Sequence, residues 1–448
     1  MKHYKAVVIG AGPGGYEAAL ELGKNGIQTL IVEKEKAHLG GTCLNEGCIP
    51  AKNYLESAEF VTKANYFRDN GIELEIKNIN LSRLKEKTKT MLKEIRTGIA
   101  WQLEQLRIET IFGTASFVDA NTIAVNSESI SFDYCIIATG SQVNLSPLLP
   151  VDGKNIITSD DVFELEYLPK SITIVGCGAI GCEFATFFSA FGVDVTMIGR
   201  KEQLLPQEDI DASKALAREF KKRGITLLLS STVVSSKINS ETVSVQVEGE
   251  TNKTIESETV LCAMGRSPNI EGLKPENADV QLDEKGFIVV NEALRTTQPH
   301  IYAIGDCIPT LPYAHMARAE ARITVHNIIT GDDLQNSNTI PSVIFSKPQI
   351  ASCGINEKSA KDKNLNVAIK KGYFKANPKA KISGDDSGFV KIVIDTDTDE
   401  ILGATITGLL ASEIIHEVQL AIDKKVTLHE LRKMIHAHPT VSEIFTIL

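Results

Sequence analysis

Apolar positions along this chain follow two periods, and the switches between them mark out the elements. In residues 5–9, Lys5 leads into an apolar run, Ala-Val-Val-Ile, that ends in a glycine cluster, the pattern of a buried parallel strand. Over residues 84–106, Leu84, Thr88, Met91, Leu92, Ile95, Ile99, Leu103 and Leu106 recur at helical spacing, which predicts one long amphipathic helix. Residues 171–175 restart the strand and run again into a glycine turn. The restart is an ungapped repeat: Gly10, Gly12 and Gly15 map onto Gly176, Gly178 and Gly181 at one constant offset. The same offset carries Gly26 onto Gly192 and the strand 29–32 onto 195–198. The chain therefore holds two copies of one strand–turn–helix–strand unit. After about residue 336, β-rich runs appear at 342–345, 389–394 and 401–407, followed by helical patterns over 411–424 and 427–435. This tail reads as a separate α+β domain.

The two turns are candidate dinucleotide sites. In GAGPGG (10–15), the first glycine makes a tight turn, the second lets the backbone approach a pyrophosphate, and the third lets helix pack on strand. The helix start then faces the phosphates. Glu33 ends the second strand about 20 residues on, where a carboxylate can accept ribose hydroxyls. GCGAIG (176–181) repeats the turn, but the position matching Glu33 is Gly199, followed by Arg200 and Lys201. Without the acid, and with two cations, the repulsion toward a 2′-phosphate disappears, which favours NADP over NAD. The alternative is that Arg200 and Lys201 are a solvated loop. Further strand-end turns at Thr139-Gly140-Ser141, Gly265-Arg266 and Gly305-Asp306 fit the same open-sheet architecture.

Length and charge narrow the class. The 448 residues, 43% hydrophobic, amount to about three domains. A net charge of −10 argues against nucleic acid or an anionic membrane surface as main partner. No apolar run approaches the ~18 residues of a membrane span, and the start does not read as a signal peptide, so a cytoplasmic location is expected. Of eight cysteines, six (Cys135, Cys177, Cys182, Cys262, Cys307 and Cys353) sit singly in apolar or glycine-rich contexts and read as buried thiols. Cys43 and Cys48 form a tight pair on a polar stretch bounded by Gly40, Gly41 and Gly47, just ahead of a helix expected near Pro50. A helix start stabilises a thiolate, so the pair is a candidate redox centre. No second Cys/His pair completes a zinc site, and no metal is expected.

Five motifs in order, GAGPGGY (10–16), GGTCLNEGCIPAK (40–52), GRSPN (265–269), IYAIGD (301–306) and HAHPTVSE (436–443), carry a resemblance over essentially the whole chain. The chain resembles the pyridine nucleotide–disulfide oxidoreductases, in particular the branch that oxidises dihydrolipoyl groups. The resemblance implies an α/β fold with two Rossmann-like dinucleotide-binding domains plus a C-terminal α+β dimerisation domain. The expected bounds are 1–145 for the first part of an FAD domain, 146–268 for an NAD(P) domain, 269–336 completing the FAD domain, and 337–448 for dimerisation. FAD would be held by Gly10, Gly12, Pro13, Gly14, Gly15, Glu33 and Lys34, then by Gly41, Thr42, Lys52 and Gly113. Thr139, Gly140, Ser141, Gly305, Tyr313, Ala314 and His315 would complete that site, with Asp306 on a ribityl hydroxyl. NAD or NADP would meet Gly176, Gly178, Ala179, Ile180, Gly181, Glu183, Gly199, Arg200, Lys201, Gly265 and Arg266.

The same resemblance implies the chemistry. Cys48 would be the flavin-proximal thiol and Cys43 the interchange thiol. Lys52 would pair with Glu183, its charge stabilising reduced flavin. His438 would be the acid–base group, oriented by Glu443; the competing reading makes Glu443 part of a capping box begun by Thr440. His416, on a predicted helix, is read as structural. The His438–Glu443 pair would reach the cysteines of a second subunit, so a homodimer with composite sites is implied. The substrate would be a lipoyl-bearing protein of a 2-oxo acid dehydrogenase or glycine-cleavage complex. Ala51, Glu46 and Gly199 depart from the family pattern and bear on substrate and nucleotide choice. The chief rival is an NADPH-dependent reductase of a low-molecular-weight disulfide, as in glutathione reductase. A rival of another class is a non-catalytic flavoprotein serving in assembly or adhesion.

Overall fold

The structure, a computed structural model, describes every residue except Thr251 and Ser337, and every side chain of the remainder except that of Asn65. The domain boundary expected at 337 thus lies outside the described residues. The chain divides into two compact units, each discontinuous in sequence. The first holds 1–51, 82–144 and 265–337, and the second 52–81, 145–264 and 338–448.

In the first unit, strand Lys2–Ile9 lies between Thr29–Glu33 and Glu128–Ile137, parallel to both. Glu109–Phe112 extends the parallel sheet beyond Thr29–Glu33, and Ile301–Ala303 joins it beside Glu128–Ile137. Ala115–Asp119 and Thr122–Val125 add an antiparallel edge. Val7, Val8 and Ile31 are fully buried, which is why these strands read as unbroken apolar runs. Helices Pro13–Lys24 and Ala314–Thr330 approach closely at Gly14, where an added Cβ would stand 3.2 Å from the Ala317 side chain.

The long helix spans Leu81–Gln105. Thr88, Leu92, Ile99 and Leu103 are buried on its inner face, but Ile95 is exposed, contrary to the expected stripe. Arg96 turns inward instead, with Nη2 2.6 Å and Nε 3.2 Å from Asn45 Oδ1. A polar grip on the cysteine-bearing segment has displaced one apolar rung of the helix.

The second unit contains a five-stranded parallel sheet in the order Thr226–Leu228, Asp194–Ile198, Ser171–Val175, Thr259–Cys262, Ile156–Thr158. A three-stranded antiparallel sheet, Thr232–Ile238, Val243–Glu248 and Lys253–Ser257, follows the outer strand. The C-terminal region forms an antiparallel sheet ordered Ser342–Ile344, Ile350–Gly354, Ile401–Thr407, Phe389–Asp395, Val367–Tyr373. Helix Ala411–Asp423 covers it through Ile414, Ile415 and Val418, and Leu428–Lys433 follows. Val367–Tyr373 escapes the sequence pattern because it is an edge strand whose residues are mostly half-exposed or exposed.

A buried charge cluster joins the two halves of this unit. Lys391, on strand Phe389–Asp395 and 1% exposed, has its Nζ 2.9 Å from Asp209, 3.0 Å from Asp211 and 2.6 Å from Glu357. Glu208 accepts hydrogen bonds from the hydroxyls of Ser342 and Ser352, at 3.0 and 2.8 Å. Among the described residues, no helix is long and apolar enough to cross a membrane.

Candidate active site

The two glycine turns have the same internal logic. Gly10 has φ of 101°, and a Cβ there would meet Ala138 O at 2.3 Å; the matching Gly176 has φ of 125° and would meet Ala263 O at 2.0 Å. A Cβ on Gly15 would lie 1.9 Å from Gly10 O, and one on Gly181 would lie 2.0 Å from Gly176 O. Packing therefore demands the first and third glycines. It does not demand the second: a Cβ on Gly12 has nothing nearer than Gly41 Cα at 4.0 Å, and one on Gly178 meets nothing within 4 Å. Gly12 and Gly178 are also the N-caps of helices Pro13–Lys24 and Ala179–Ala190, and neither helix start is capped by a side chain. Helix Ile210–Lys222, by contrast, is capped by the Asp209 carboxylate. Open space at the second glycine, beside uncapped N–H groups, fits a pyrophosphate. Pro13, Ala179 and Ile180 occupy the first positions of these helices.

Glu33 folds back over the first turn. Its Oε2 accepts the Ala11 N–H at 2.7 Å and its Oε1 accepts the Lys34 N–H at 2.8 Å. Burial pushes its carboxyl above the ordinary value, against the pull of those two donors. Each oxygen keeps a lone pair for a ribose hydroxyl. The Glu33 carbonyl accepts the Gly113 N–H at 2.8 Å, tying in the next strand end. In the second copy, buried Gly199 ends the strand, and Arg200 and Lys201 are exposed beyond it.

At the other strand ends of the first unit, residues distant in sequence converge. Ser141 donates from its hydroxyl to Asp306 Oδ2 at 2.7 Å and accepts from Arg266 Nε at 3.0 Å. Arg266 Nη2 also donates to the Ser141 carbonyl at 2.9 Å, and Gly265 O accepts the Asn144 N–H at 3.0 Å. Gly265 and Arg266, grouped in sequence with the second turn, thus lie in the first unit beside Ser141 and Asp306. Thr139 and Gly140 bond through their carbonyls to Asn269. The loop carrying Asp306 is held by a residue the sequence reading missed: Glu320, 1% exposed, accepts the Gly305 N–H at 2.7 Å. Burial pushes this carboxyl up as well. Tyr313 and His315 stack at the start of the helix containing Ala314.

Cys43 lies in the short helix Gly41–Asn45, and Cys48 is the first residue of helix Cys48–Asp69, slightly earlier than the start expected near Pro50. Gly47 between them is required by close approach, since a Cβ there would sit 2.8 Å from Thr42 O. Asn45 closes the turn by donating to Gly41 O at 2.8 Å, while Arg96 holds its Oδ1. The only sequence trace of Arg96 was a polar residue at the helical spacing between Leu92 and Ile99. A Cβ on Gly41 would come within 2.6 Å of Gly12 Cα, so the cysteine segment packs directly on the first dinucleotide turn. Glu46 pairs with His38 at 3.1 Å, and Ala51 is buried. The other six cysteines are buried, which pushes Cys262 up to about 11 and Cys177, Cys307 and Cys353 up to about 12.

In the second unit, Lys52 Nζ lies 2.8 and 3.0 Å from the two Glu183 oxygens and 4.8 Å from the centre of the Phe345 ring. Glu183 Oε1 also accepts the Phe345 N–H at 2.9 Å. Glu443 serves two groups at once. Its Oε1 lies 2.9 Å from His438 Nδ1, and its Oε2 accepts the Thr440 N–H at 2.7 Å. These bonds, the Thr440 N–H first and His438 after it, pull the carboxyl below the ordinary glutamate value. Glu443 thus reaches back to the Thr440 N–H, but no full capping box forms, because the helix Ser442–Ile447 is preceded by Val441 and has no side-chain cap. His438 is 69% exposed, and a proton on Nδ1 facing Glu443 leaves Nε2 as the basic, outward nitrogen. His436 is turned away, bonded through Nε2 to Glu417 at 2.7 Å, and His416 bonds Gln419 at the surface.

Comparison with known proteins identifies the family. The sequence matches the pyridine nucleotide-disulphide oxidoreductase family over residues 4–321 and that family's dimerisation domain over residues 340–448. A dihydrolipoyl dehydrogenase of Bacillus subtilis is 38% identical, across 98% of this chain and 96% of that protein. The crystal structure of LpdA from Mycobacterium tuberculosis is similar at a TM-score of 0.92 and 26% identity, covering 100% of this chain and 98% of that one. The HOCl-induced flavoprotein disulfide reductase RclA from Escherichia coli is similar at a TM-score of 0.89 and 28% identity over 99% of both chains.

Proposed function

We propose that this chain, which belongs to the pyridine nucleotide-disulphide oxidoreductase family, oxidises dihydrolipoyl groups carried on a partner protein and passes the electrons to a nicotinamide nucleotide. One observation supports the reading: the Cys43–Cys48 segment packs on the first dinucleotide turn at Gly41 and Gly12, so an FAD held at that turn would lie beside the cysteine pair. FAD, when bound, supplies the two-electron relay between the dithiol and the nicotinamide. Gly10, Gly12, Gly15 and Glu33 would hold its pyrophosphate and ribose, and Asp306, braced by Ser141 and Arg266, its ribityl chain.

In the thiol half-reaction, the Cys43–Cys48 disulfide is reduced and the dihydrolipoyl dithiol is oxidised to its cyclic disulfide. His438 Nε2 takes the proton of the attacking substrate thiol. That thiolate displaces Cys48 and forms a mixed disulfide with Cys43, which the second substrate thiol then resolves. Cys48, at the start of its helix, is left as a thiolate stabilised by the helix end. By the family resemblance, Lys52, held by Glu183, would stabilise the negative charge of reduced flavin. Net, dithiol and NAD(P)+ yield disulfide, NAD(P)H and a proton. The dimerisation domain supports a homodimer in which His438 and Glu443 of one subunit serve the cysteines of the other. The lipoyl-bearing partner would belong to a 2-oxo acid dehydrogenase or glycine-cleavage complex.

For the nicotinamide, Gly199, Arg200 and Lys201 support NADP. The same residues favour a second reading, an NADPH-dependent disulfide reductase running this chemistry in reverse. Anaerobic reduction of the holoenzyme with dihydrolipoamide tests the scheme: a long-wavelength thiolate–flavin absorption band is expected in wild type and lost in Cys48→Ser. A Cys48→Ser enzyme turning over dihydrolipoamide at the wild-type rate would refute it. Comparing dihydrolipoamide oxidation with NADPH-driven reduction of small disulfides separates the two directions.

A further inference from the structure

The two copies of the repeated unit share their main backbone bonds at the turn and differ in what surrounds the position of the acid. Gly10 N–H donates to Val32 O at 2.8 Å, and Gly176 N–H donates to Ile198 O at 2.9 Å. The Glu33 carbonyl accepts from Gly113 at 2.8 Å, and the Gly199 carbonyl from Ser231 at 2.9 Å. Ala11 therefore corresponds to Cys177, and Glu33 to Gly199. In the first copy, Ala11 presents only a methyl group, and the Glu33 side chain folds over the turn to accept its N–H. In the second copy, a Cβ at position 199 would stand 2.6 Å from Cys177 Sγ and 3.1 Å from Cys177 Cβ.

The backbone does not require glycine here, because Gly199 lies outside the left-handed region that disfavours side chains. Rotating the thiol would relieve the shorter contact and leave the one to Cys177 Cβ. Cys177 is 7% exposed, so its sulfur has little space into which to swing.

We propose that Cys177 is a specificity-determining residue of the nicotinamide site: its thiol fills the volume a ribose-binding carboxylate at position 199 would need. The site is thereby held open to a 2′-phosphate, which meets exposed Arg200 and Lys201. This rests on the NADP reading given above. It follows that Gly199→Glu alone cannot install NAD recognition. The change must be paired with Cys177→Ala, which rebuilds the Ala11 and Glu33 arrangement of the first copy.

The test measures kcat/KM for NAD and NADP on the wild-type holoenzyme, Gly199→Glu, Cys177→Ala and the double variant. The double variant is expected to move the NAD/NADP ratio at least tenfold toward NAD relative to Cys177→Ala, and Gly199→Glu alone less than threefold. If Gly199→Glu shifts the ratio as far as the double variant, the proposal is overturned. Should Gly199→Glu fail to fold, thermal melting of Gly199→Ala decides. A lower Tm in the wild-type background but not in the Cys177→Ala background supports the steric coupling, and equal losses in both refute it. A wild type that prefers NAD would overturn the NADP reading, while the melting comparison would still report on the contact between positions 177 and 199.

Discussion

Gly178→Ala separates what the second turn does for folding from what it does for binding. Gly178 has φ −80° and ψ −172°, a conformation alanine adopts freely, and an added Cβ meets nothing within 4 Å. Replacing a glycine under those conditions narrows the unfolded ensemble and stabilises by about 0.4–1 kcal/mol. For a domain of this type that raises Tm by roughly 1–4 °C. The same methyl group occupies the space a pyrophosphate needs beside the uncapped N–H groups of helix Ala179–Ala190. Losing one charge-assisted hydrogen bond costs about 1.5–3 kcal/mol, roughly one to two orders of magnitude in nucleotide affinity. The companion Gly181→Ala puts its Cβ 2.0 Å from Gly176 O and should destabilise by about 1–3 kcal/mol or more. Melting curves, flavin content and nucleotide titration on the three proteins read both effects. A Gly178→Ala protein that binds nucleotide like wild type would show that the open space is not a phosphate cradle, and one that melts well below wild type would show that the space is not open to a methyl group.

Glu183→Gln keeps the shape of the side chain and one acceptor oxygen for the Phe345 N–H, but removes the charge facing Lys52 and turns one oxygen into an amide donor. Because the Lys52 side chain is 31% exposed, the expected loss is about 1–2 kcal/mol in urea unfolding, below the figure for a fully buried pair. Arg96→Ala should cost about 1 kcal/mol and loosen the Asn45 turn, seen as faster alkylation of reduced Cys43 by mass spectrometry. Glu443 titrates below its ordinary value of 4.5 in the folded state, so its stabilising contribution is present above that value and lost as pH falls through the depressed one. The Glu443 carboxylate should therefore be mostly ionised at pH 4.5, and a Glu443 carboxyl-carbon NMR titration with its midpoint at or above 4.5 would contradict this.

Much of the fold was legible because its demands are steric and leave a mark on residue identity. A carbonyl about 2 Å from a would-be Cβ permits only glycine, so Gly10, Gly15, Gly176 and Gly181 announce the repeat. The parallel strands at 5–9 and 171–175 were legible for a related reason: burial on both faces leaves runs of apolar and β-branched residues, Thr173 included. Edge strand Val367–Tyr373 carries no such mark. Ile95 and Arg96 show the limit of periodicity, since both fit a helical stripe and only a tertiary partner, Asn45, decides which one turns in. The motifs named candidate residues but not their neighbours. Ser141, Arg266 and Asp306 meet because strand Ile301–Ala303 rejoins the first sheet and Ser141–Val143 pairs with Arg266–Pro268, facts of topology rather than of local sequence.

Lys391 has a consequence for how the chain can be cut. A family boundary falls near residue 340, which invites treating the C-terminal region as a detachable module. Its buried ammonium, however, is neutralised partly by Asp209 and Asp211 from the nucleotide-binding half of the same unit. Excising either piece breaks the Asp209 and Asp211 pairs and uncovers Lys391, leaving it Glu357 alone of its three acidic partners. The dimerisation region is thus a module of sequence but not of folding, and transplanting it between relatives should work only when its acidic counterpart travels with it.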